Sequence, residues 1–340
     1  MAYITLSRSA FFHNLELLCK KAGGKENLFI VLKDNAYGHG LAQMAKLSSE
    51  FGLECAVVRN YEEASQISGL FKDIIILNPV APHKQSKNYS IVINDIATLC
   101  ELKPNTSIHL KIDTGMHRNG LYPNEIFDAI NKIEENSLHL KAVMTHFRSA
   151  DELGSELFWQ LKVWEDTKEQ IKQFVKKKNF PTPLFHSANS ATLLRLKDLK
   201  GESARCGIGA YGYHELHDVF GKFDLLPVLK LYAKKINTKE LKKAERIGYG
   251  GAFCAKKNMK ISTYDVGYGD GFLRYDGKGD FYLSGKKVLG KISMDSLCLE
   301  GEDDHVLILD NAKKIAHFFH TISYDVLVKL SPAIKRVIID

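Results

Sequence analysis

The stretch Phe29-Ile-Val-Leu-Lys33-Asp-Asn-Ala-Tyr37-Gly-His39-Gly40 carries one amine to the end of an apolar run. A polar, glycine-bearing turn follows at once. Lysine is almost never fully buried without a partner. Burial lowers its pKa from about 10.4 toward neutrality, which suits a Schiff-base former or a general base. The competing reading is a surface lysine just beyond its strand. Lys111 and Asp113 stand two apart, a spacing that also permits a plain ion pair. His146, in Thr145-His146-Phe147-Arg148, stands alone, and lone histidines are more often structural than catalytic. Tyrosine ionises near 10 and needs cationic neighbours before it can act as a base. Tyr249 and Tyr268 both lie in Gly-Tyr-Gly turns, but in different contexts. The pairs His214/His217 and His317/His320 have a spacing that could hold a metal on a helix. They lack the HExxH pattern and any accompanying cysteine pair, so they read as surface histidines and no metal is expected.

These residues need elements to position them. Short β-branched runs alternate with helical patterns through the first two thirds of the chain. The runs are Leu28–Leu32, Cys55–Val58, Ile74–Leu77, Ser90–Ile93, Ile108–Ile112, Leu140–Thr145, Leu184–His186 and Ser203–Gly207. Apolar runs of this kind suit strands buried on both faces. Helical spacing between them is clearest over Ser155–Lys178, where Trp159 and Trp164 read as packing residues. About eight strand–helix units is the number a (β/α)8 barrel requires, and its active site lies at the C-terminal strand ends. A doubly wound sheet is the rival, but Gly38-His39-Gly40 is too short for its glycine fingerprint.

From Leu225 onward the pattern changes to short strands and glycine turns: Leu229–Ile236, Lys260–Val266, Phe281–Leu283, Val288–Ile292 and His305–Leu309. That predicts a mostly β second domain. Helical spacing returns in Ala312–Phe319 and Tyr324–Leu330, and the opening strand Tyr3–Leu6 can pair with this domain.

Length and composition are consistent with this plan. The chain has 340 residues, 45% hydrophobic and 26% charged, enough for a sizeable core in about two domains. Its mean hydropathy of −0.18 argues against wholesale disorder. The formal net charge is 47 − 40 = +7, but the lysines are scattered and no arginine-rich arm concentrates them. Nucleic-acid binding is therefore not expected. Six cysteines without a CxxC pair, no signal-peptide pattern and no apolar run near the roughly 20 residues of a membrane span point to a reducing cytoplasm.

The Lys33 segment resembles the pyridoxal-phosphate lysine motif of the alanine racemase family, which usually has Ala where Asp34 stands. Further matches follow in order along almost the whole chain. His109-Leu-Lys111-Ile-Asp113-Thr-Gly-Met-His117-Arg118 resembles the family segment ending in Gly-Met-Gly-Arg-Leu-Gly. The resemblance implies that Arg118 binds the substrate carboxylate, a task suited to a permanently charged, bidentate guanidinium. It also implies that Lys111 is a carbamylated lysine orienting Arg118. His146 falls beside the cofactor ring, with Arg148 where a small residue is common. Ser190, in His186-Ser-Ala-Asn189-Ser190, resembles a phosphate contact. Gly207 and Ile208, in Arg205-Cys-Gly207-Ile208, would offer backbone amides to the phosphate, and Tyr37 completes that cradle.

Arg205 matches the arginine that faces the pyridine nitrogen. It donates a hydrogen bond without readily releasing a proton, so racemisation is favoured over transamination. Val266-Gly-Tyr268-Gly-Asp270 resembles the catalytic-tyrosine motif, with the tyrosine supplied by a partner subunit, and the resemblance implies His146 and Arg205 as its cationic neighbours. Tyr249 matches a structural segment instead. Met294, in Lys291-Ile-Ser-Met294-Asp295, would bind the substrate carboxylate through its backbone amide, and Tyr324 would narrow the pocket near the cofactor.

The implied protein is a cytoplasmic homodimer with shared active sites. A pyridoxal 5'-phosphate-binding (β/α)8 barrel over 11–222 precedes a mostly β domain over 223–340, joined by strand 1–10. The implied activity is two-base alanine racemisation through Lys33 and Tyr268, with D-alanine destined for peptidoglycan. A serine or broad-specificity racemase, or a non-catalytic pyridoxal-phosphate-binding protein, are the alternatives.

Overall fold

The computed structural model describes residues 1–340. They form two compact units, one of Phe12–Ala36 and Met44–Leu225, the other of Met1–Phe11, Tyr37–Gln43 and Leu226–Asp340.

After β1 (Tyr3–Ser7), which belongs to the second unit, eight parallel strands close a barrel. They are β2 (Leu28–Val31), β3 (Cys55–Val58), β4 (Asp73–Ile76), β5 (Tyr89–Ile93), β6 (Ser107–Lys111), β7 (His139–Met144), β8 (Leu184–Ala188) and β9 (Ser203–Cys206), and β9 returns to pair with β2. The apolar runs form these strands because both faces are covered. All four residues of β2 and of β9 are buried. Helices cover the outside through apolar stripes. In Ile126–Glu135 the buried residues are Ile126, Ala129, Ile130 and Ile133, at three- and four-residue intervals. Glu156–Lys177 buries Leu157, Trp164, Ile171 and Val175 in the same manner. Trp159, expected to pack, is instead 51% exposed. One edge of its ring lies where a Cβ on Gly115 would be, 2.4 Å away.

The second unit is mostly β. Its six-stranded sheet is built on β10 (Leu229–Leu241), which pairs with β1, β13 (Met259–Tyr264) and β17 (His305–Leu309). β16 (Leu297–Glu300) and β18 (Lys335–Ile339) form its two ends. Two short hairpins, β11 (Arg246–Ile247) with β12 (Phe253–Cys254) and β14 (Tyr282–Leu283) with β15 (Lys286–Lys287), flank the sheet. The expected strand Val288–Ile292 is reduced to one bridge, between Val288 and Leu299. Gly290 sits at φ +73, a left-handed conformation that breaks the ladder.

No helix is long and apolar enough to cross a membrane.

Candidate active site at the barrel mouth

Lys33 stands just past β2, partly buried and with no hydrogen-bond partner inside the protein. Beyond it the turn is left-handed: Asp34, Asn35, Ala36 and Tyr37 have φ of 54, 54, 52 and 51°. Such backbone costs roughly 1–2 kcal/mol per non-glycine residue and persists only where its surroundings over-determine it. Several groups do so here. The Ala36 amide donates to the Leu32 carbonyl at 2.8 Å, and the Asn35 amide donates to Glu63 Oε1 at 3.2 Å. Asp34 pairs with Arg59 at 3.1 Å, which gives this departure from the family pattern a local partner. Within the second unit, the Arg336 guanidinium donates twice to the Gly38 carbonyl, at 2.8 and 3.1 Å.

Arg205 ends β9 with its guanidinium buried inside the barrel. Nη1 donates to Nδ1 and the carbonyl of His186, each at 2.7 Å, and Nη2 donates to the carbonyls of Thr145 (2.6 Å) and Ser187 (3.1 Å). Only the Nε–H is left without an acceptor in the protein. Because a guanidinium only donates, His186 Nδ1 must be bare and Nε2 protonated. His186 Nε2–H therefore donates to His109 Nδ1, 2.9 Å away. His109 Nε2–H then faces Asp73 Oδ2 at 3.8 Å. Asp73 is held by Ser90 Oγ (2.6 Å) and Lys141 Nζ (2.9 Å). Both histidines are pushed below their ordinary pKa, chiefly by burial. Asp73 is brought down to about 2; the approach of His109, the Lys141 charge and the Ser90 hydrogen bond outweigh its desolvation. Burial lowers Arg205 to about 10, opposed by the Glu202 charge, so it stays cationic at neutral pH.

Lys111, at the end of β6, is buried, and its amine makes no hydrogen bond or ion pair. Burial, then Arg118 and Arg205, lower its pKa to about 8. The alternative of an ion pair with Asp113 is not what forms, since Asp113 Oδ1 accepts from the amides of Gly115 (2.9 Å) and His117 (3.0 Å). Arg118 lies exposed in the loop that follows. His146, past β7, is lowered to about 3 by burial and then by Arg205 and Lys111. It is neutral at pH 7, so it cannot supply the positive charge the sequence reading assigned to it.

Ser190 is buried beside the end of β9, where its Oγ accepts from the Gly209 amide at 3.2 Å. Gly207 and Ile208 are buried, and neither amide has an acceptor in the protein. In the second unit the rings of Tyr37 and Tyr324 lie 5.8 Å apart. Tyr268 and Met294 are brought together there: the Tyr268 amide donates to the Ser293 carbonyl (3.1 Å) and the Gly269 amide to that of Met294 (2.6 Å). The Arg274 guanidinium lies 5.9 Å from the Tyr268 ring. The Met294 amide has no acceptor, whereas Tyr249 is 71% exposed on a separate turn.

No group of three or more His, Cys, Asp or Glu could hold a metal ion. His217 Nδ1 accepts from the Val219 amide, and the His214 ring packs on Phe223. Sequence reasoning missed His109, Asp73 and Arg336. Strand parity could have found His109, which shares a face of β6 with Lys111.

The description "Alanine racemase, N-terminal domain" matches residues 6–215, and "Alanine racemase, C-terminal domain" matches residues 228–338. A protein of Nitratiruptor sp. named alanine racemase is 49% identical over the full length of both chains. One of Campylobacter curvus with the same name is 44% identical over 99% of each. The crystal structure of alanine racemase from the D-cycloserine-producing Streptomyces lavendulae shares the fold, with TM-score 0.87 over 100% of this chain and 97% of that one, at 24% identity. That from E. faecalis superposes with TM-score 0.85 at 27% identity over 99% of this chain and 98% of that one. Two matched domains spanning nearly all of the sequence, with relatives this similar over their entire length, place the chain in the alanine racemase family.

Proposed function

We propose that this chain interconverts L- and D-alanine with pyridoxal 5'-phosphate as cofactor, by a two-base mechanism. The observation that carries the reading is buried Arg205, whose other donors are all used within the barrel and whose Nε–H alone is left to give. The residues present fit the cofactor. Lys33 has a partly buried amine without a partner, and the buried amides of Gly207 and Ile208 lack acceptors. Lys33 Nζ would hold the cofactor; Ser190, Gly207, Ile208 and Tyr37 would hold its phosphate; His146 and Tyr324 would flank it.

When bound, the cofactor supplies an electron sink that acidifies the substrate Cα–H. Arg205 would donate its Nε–H to the ring nitrogen and keep its proton. That would keep the sink weak and favour reprotonation at Cα. Displaced from the cofactor by the substrate's own amine, Lys33 would remove the proton from D-alanine on one face. Tyr268 of the partner subunit removes it from L-alanine on the other, and the opposite base returns one. Arg118 and the Met294 amide hold the substrate carboxylate. Lys111, its pKa lowered to about 8, would react with CO2 through its neutral form and orient Arg118.

The active form would be a homodimer with shared sites, working in the cytoplasm to supply D-alanine for peptidoglycan. We take the barrel domain as 11–222 and the β domain as 223–340 with strand 1–10. Purified protein loaded with pyridoxal phosphate is tested for formation of D-alanine from L-alanine, beside L-serine and L-lysine. Alanine should racemise fastest; serine equal to or faster than alanine would select the broader racemase. A yellow absorbance lost in Lys33→Ala, with no racemisation of any of the three, would leave only a binding protein.

A further inference from the structure

Arg118 sits in a loop whose two ends are tied together, since the Leu121 amide donates to the Lys111 carbonyl (2.9 Å) and the Asp113 amide to that of Leu121 (2.8 Å). Between these ties the loop has no strand or helix to hold it. Asp113 Oδ1 organises its first half through the amides of Gly115 and His117, and His117 takes a left-handed φ of 55°. Beyond the loop's own residues, the polar contacts to this first half come from Thr145, whose Oγ1 lies 2.8 Å from Thr114 Oγ1, and from Arg148, whose Nη1 donates to the Gly115 carbonyl at 2.9 Å. Nη2 of the same guanidinium pairs with Glu156, at the start of the helix Glu156–Lys177. The backbone of Arg148 is fixed as well, because its amide donates to Gln160 Oε1 at 3.0 Å. The Trp159 ring closes over Gly115, leaving no room for a side chain there. Arg118 makes no hydrogen bond or ion pair of its own, so its placement depends on this loop.

We propose that Arg148 is a positioning residue for Arg118: by bridging the Gly115 carbonyl and the Glu156 carboxylate, it fixes the 113–121 loop so that Arg118 faces a substrate carboxylate. The proposal rests on the reading of Arg118 as the carboxylate-binding group. It gives a use to two departures from the family pattern in one stroke. Arg148 replaces a small residue, and the loop it braces carries His117 in place of a glycine. An exposed ion pair adds little stability. The planar fork still holds two groups at a fixed separation, which an ammonium cannot do with the same geometry.

The test uses the holoenzyme. In Arg148→Ser, KM for alanine should rise about tenfold in both directions, with kcat changed less than about threefold, as expected when ground-state and transition-state binding weaken together. Because the enantiomers have equal free energies, kcat/KM must fall by the same factor for each. The inhibition constant of propionate, a carboxylate without the reacting amine, should rise in parallel. Amide hydrogen exchange across 113–121 should speed up while β7 is unchanged. Arg148→Lys should recover only part of the loss. Glu156→Gln, on the helix surface, should shift exchange and KM the same way, which keeps the test intact if Arg148→Ser folds poorly.

Unchanged exchange and unchanged propionate inhibition in both Arg148→Ser and Glu156→Gln would overturn the proposal. Faster exchange with KM unmoved would also overturn it, since the loop would then be braced for stability alone. Arg118→Gln separates the two readings. If it leaves KM and propionate inhibition at the wild-type level, Arg118 is not the carboxylate site, whatever exchange shows in Arg148→Ser.

Discussion

Lys111 shows how position changes a side chain's chemistry. A lysine with its ordinary pKa of 10.5 is charged at neutral pH, but here burial and the nearby arginines bring it to about 8. Between about 8 and 10.5 the folded state binds fewer protons than the unfolded chain, so this group's contribution to stability rises with pH across that window. Only the neutral amine reacts with CO2. Labelled bicarbonate should therefore give a carbamate carbonyl signal in ¹³C NMR that grows from about pH 7 to about pH 9. The signal should vanish in Lys111→Ala; persistence there would assign it to another amine. Burial, and then the same nearby positive charges, make His146 neutral, at about 3. Around Arg205 the two histidines are neutral chiefly because they are buried. A donor-only guanidinium at one end dictates one tautomer for the whole run to Asp73. Lys33 was legible as a candidate from its place at a strand end, and Arg205 from its match to the family pattern. His109 and Asp73 were not, because their partners come from strands far apart in sequence.

At the scale of elements, hydrogen bonds join residues far apart in the sequence. Asp340, the last residue, accepts from the amides of Arg8 (2.8 Å) and Ser9 (3.3 Å) and from the hydroxyls of Ser7 and Ser9. It thus caps the helix Arg8–Ala22 from the opposite end of the sequence. Losing such a cap typically costs about 1 kcal/mol. Asp340→Ala should lower unfolding stability by about that amount in urea titrations, with an unchanged slope. An unchanged midpoint would mean that solvent serves these amides equally well. No local pattern announces this cap, because 331 residues separate Ser9 from Asp340. The eight barrel strands, by contrast, were readable to within a residue or two, since burial on both faces leaves uninterrupted apolar runs. β16 and β18 escaped notice: β18 alternates exposed and part-buried residues, and β16 follows directly on the glycine-broken stretch after Val288.

For the whole molecule, the proposed chemistry depends on what a single chain does not itself supply. If the second base comes from a neighbouring subunit, Lys33→Ala and Tyr268→Phe chains should each be inactive alone. Mixed and reassociated, they should regain activity at one of two sites, about a quarter of wild type per protomer once random pairing is counted. No recovery, with mixed dimers verified by mass, would place both bases in one chain. The sequence alone was enough for the barrel, the mostly β second unit, the family and the order of the site motifs. Each of these is written in residue type and local period, which neighbouring residues set. The left-handed turn after Lys33, the neutrality of His146, the tautomers behind Arg205 and the brace on the Arg118 loop were decided only by the tertiary structure. They depend on burial and on hydrogen-bond partners from distant strands, and neither exists until the chain has folded.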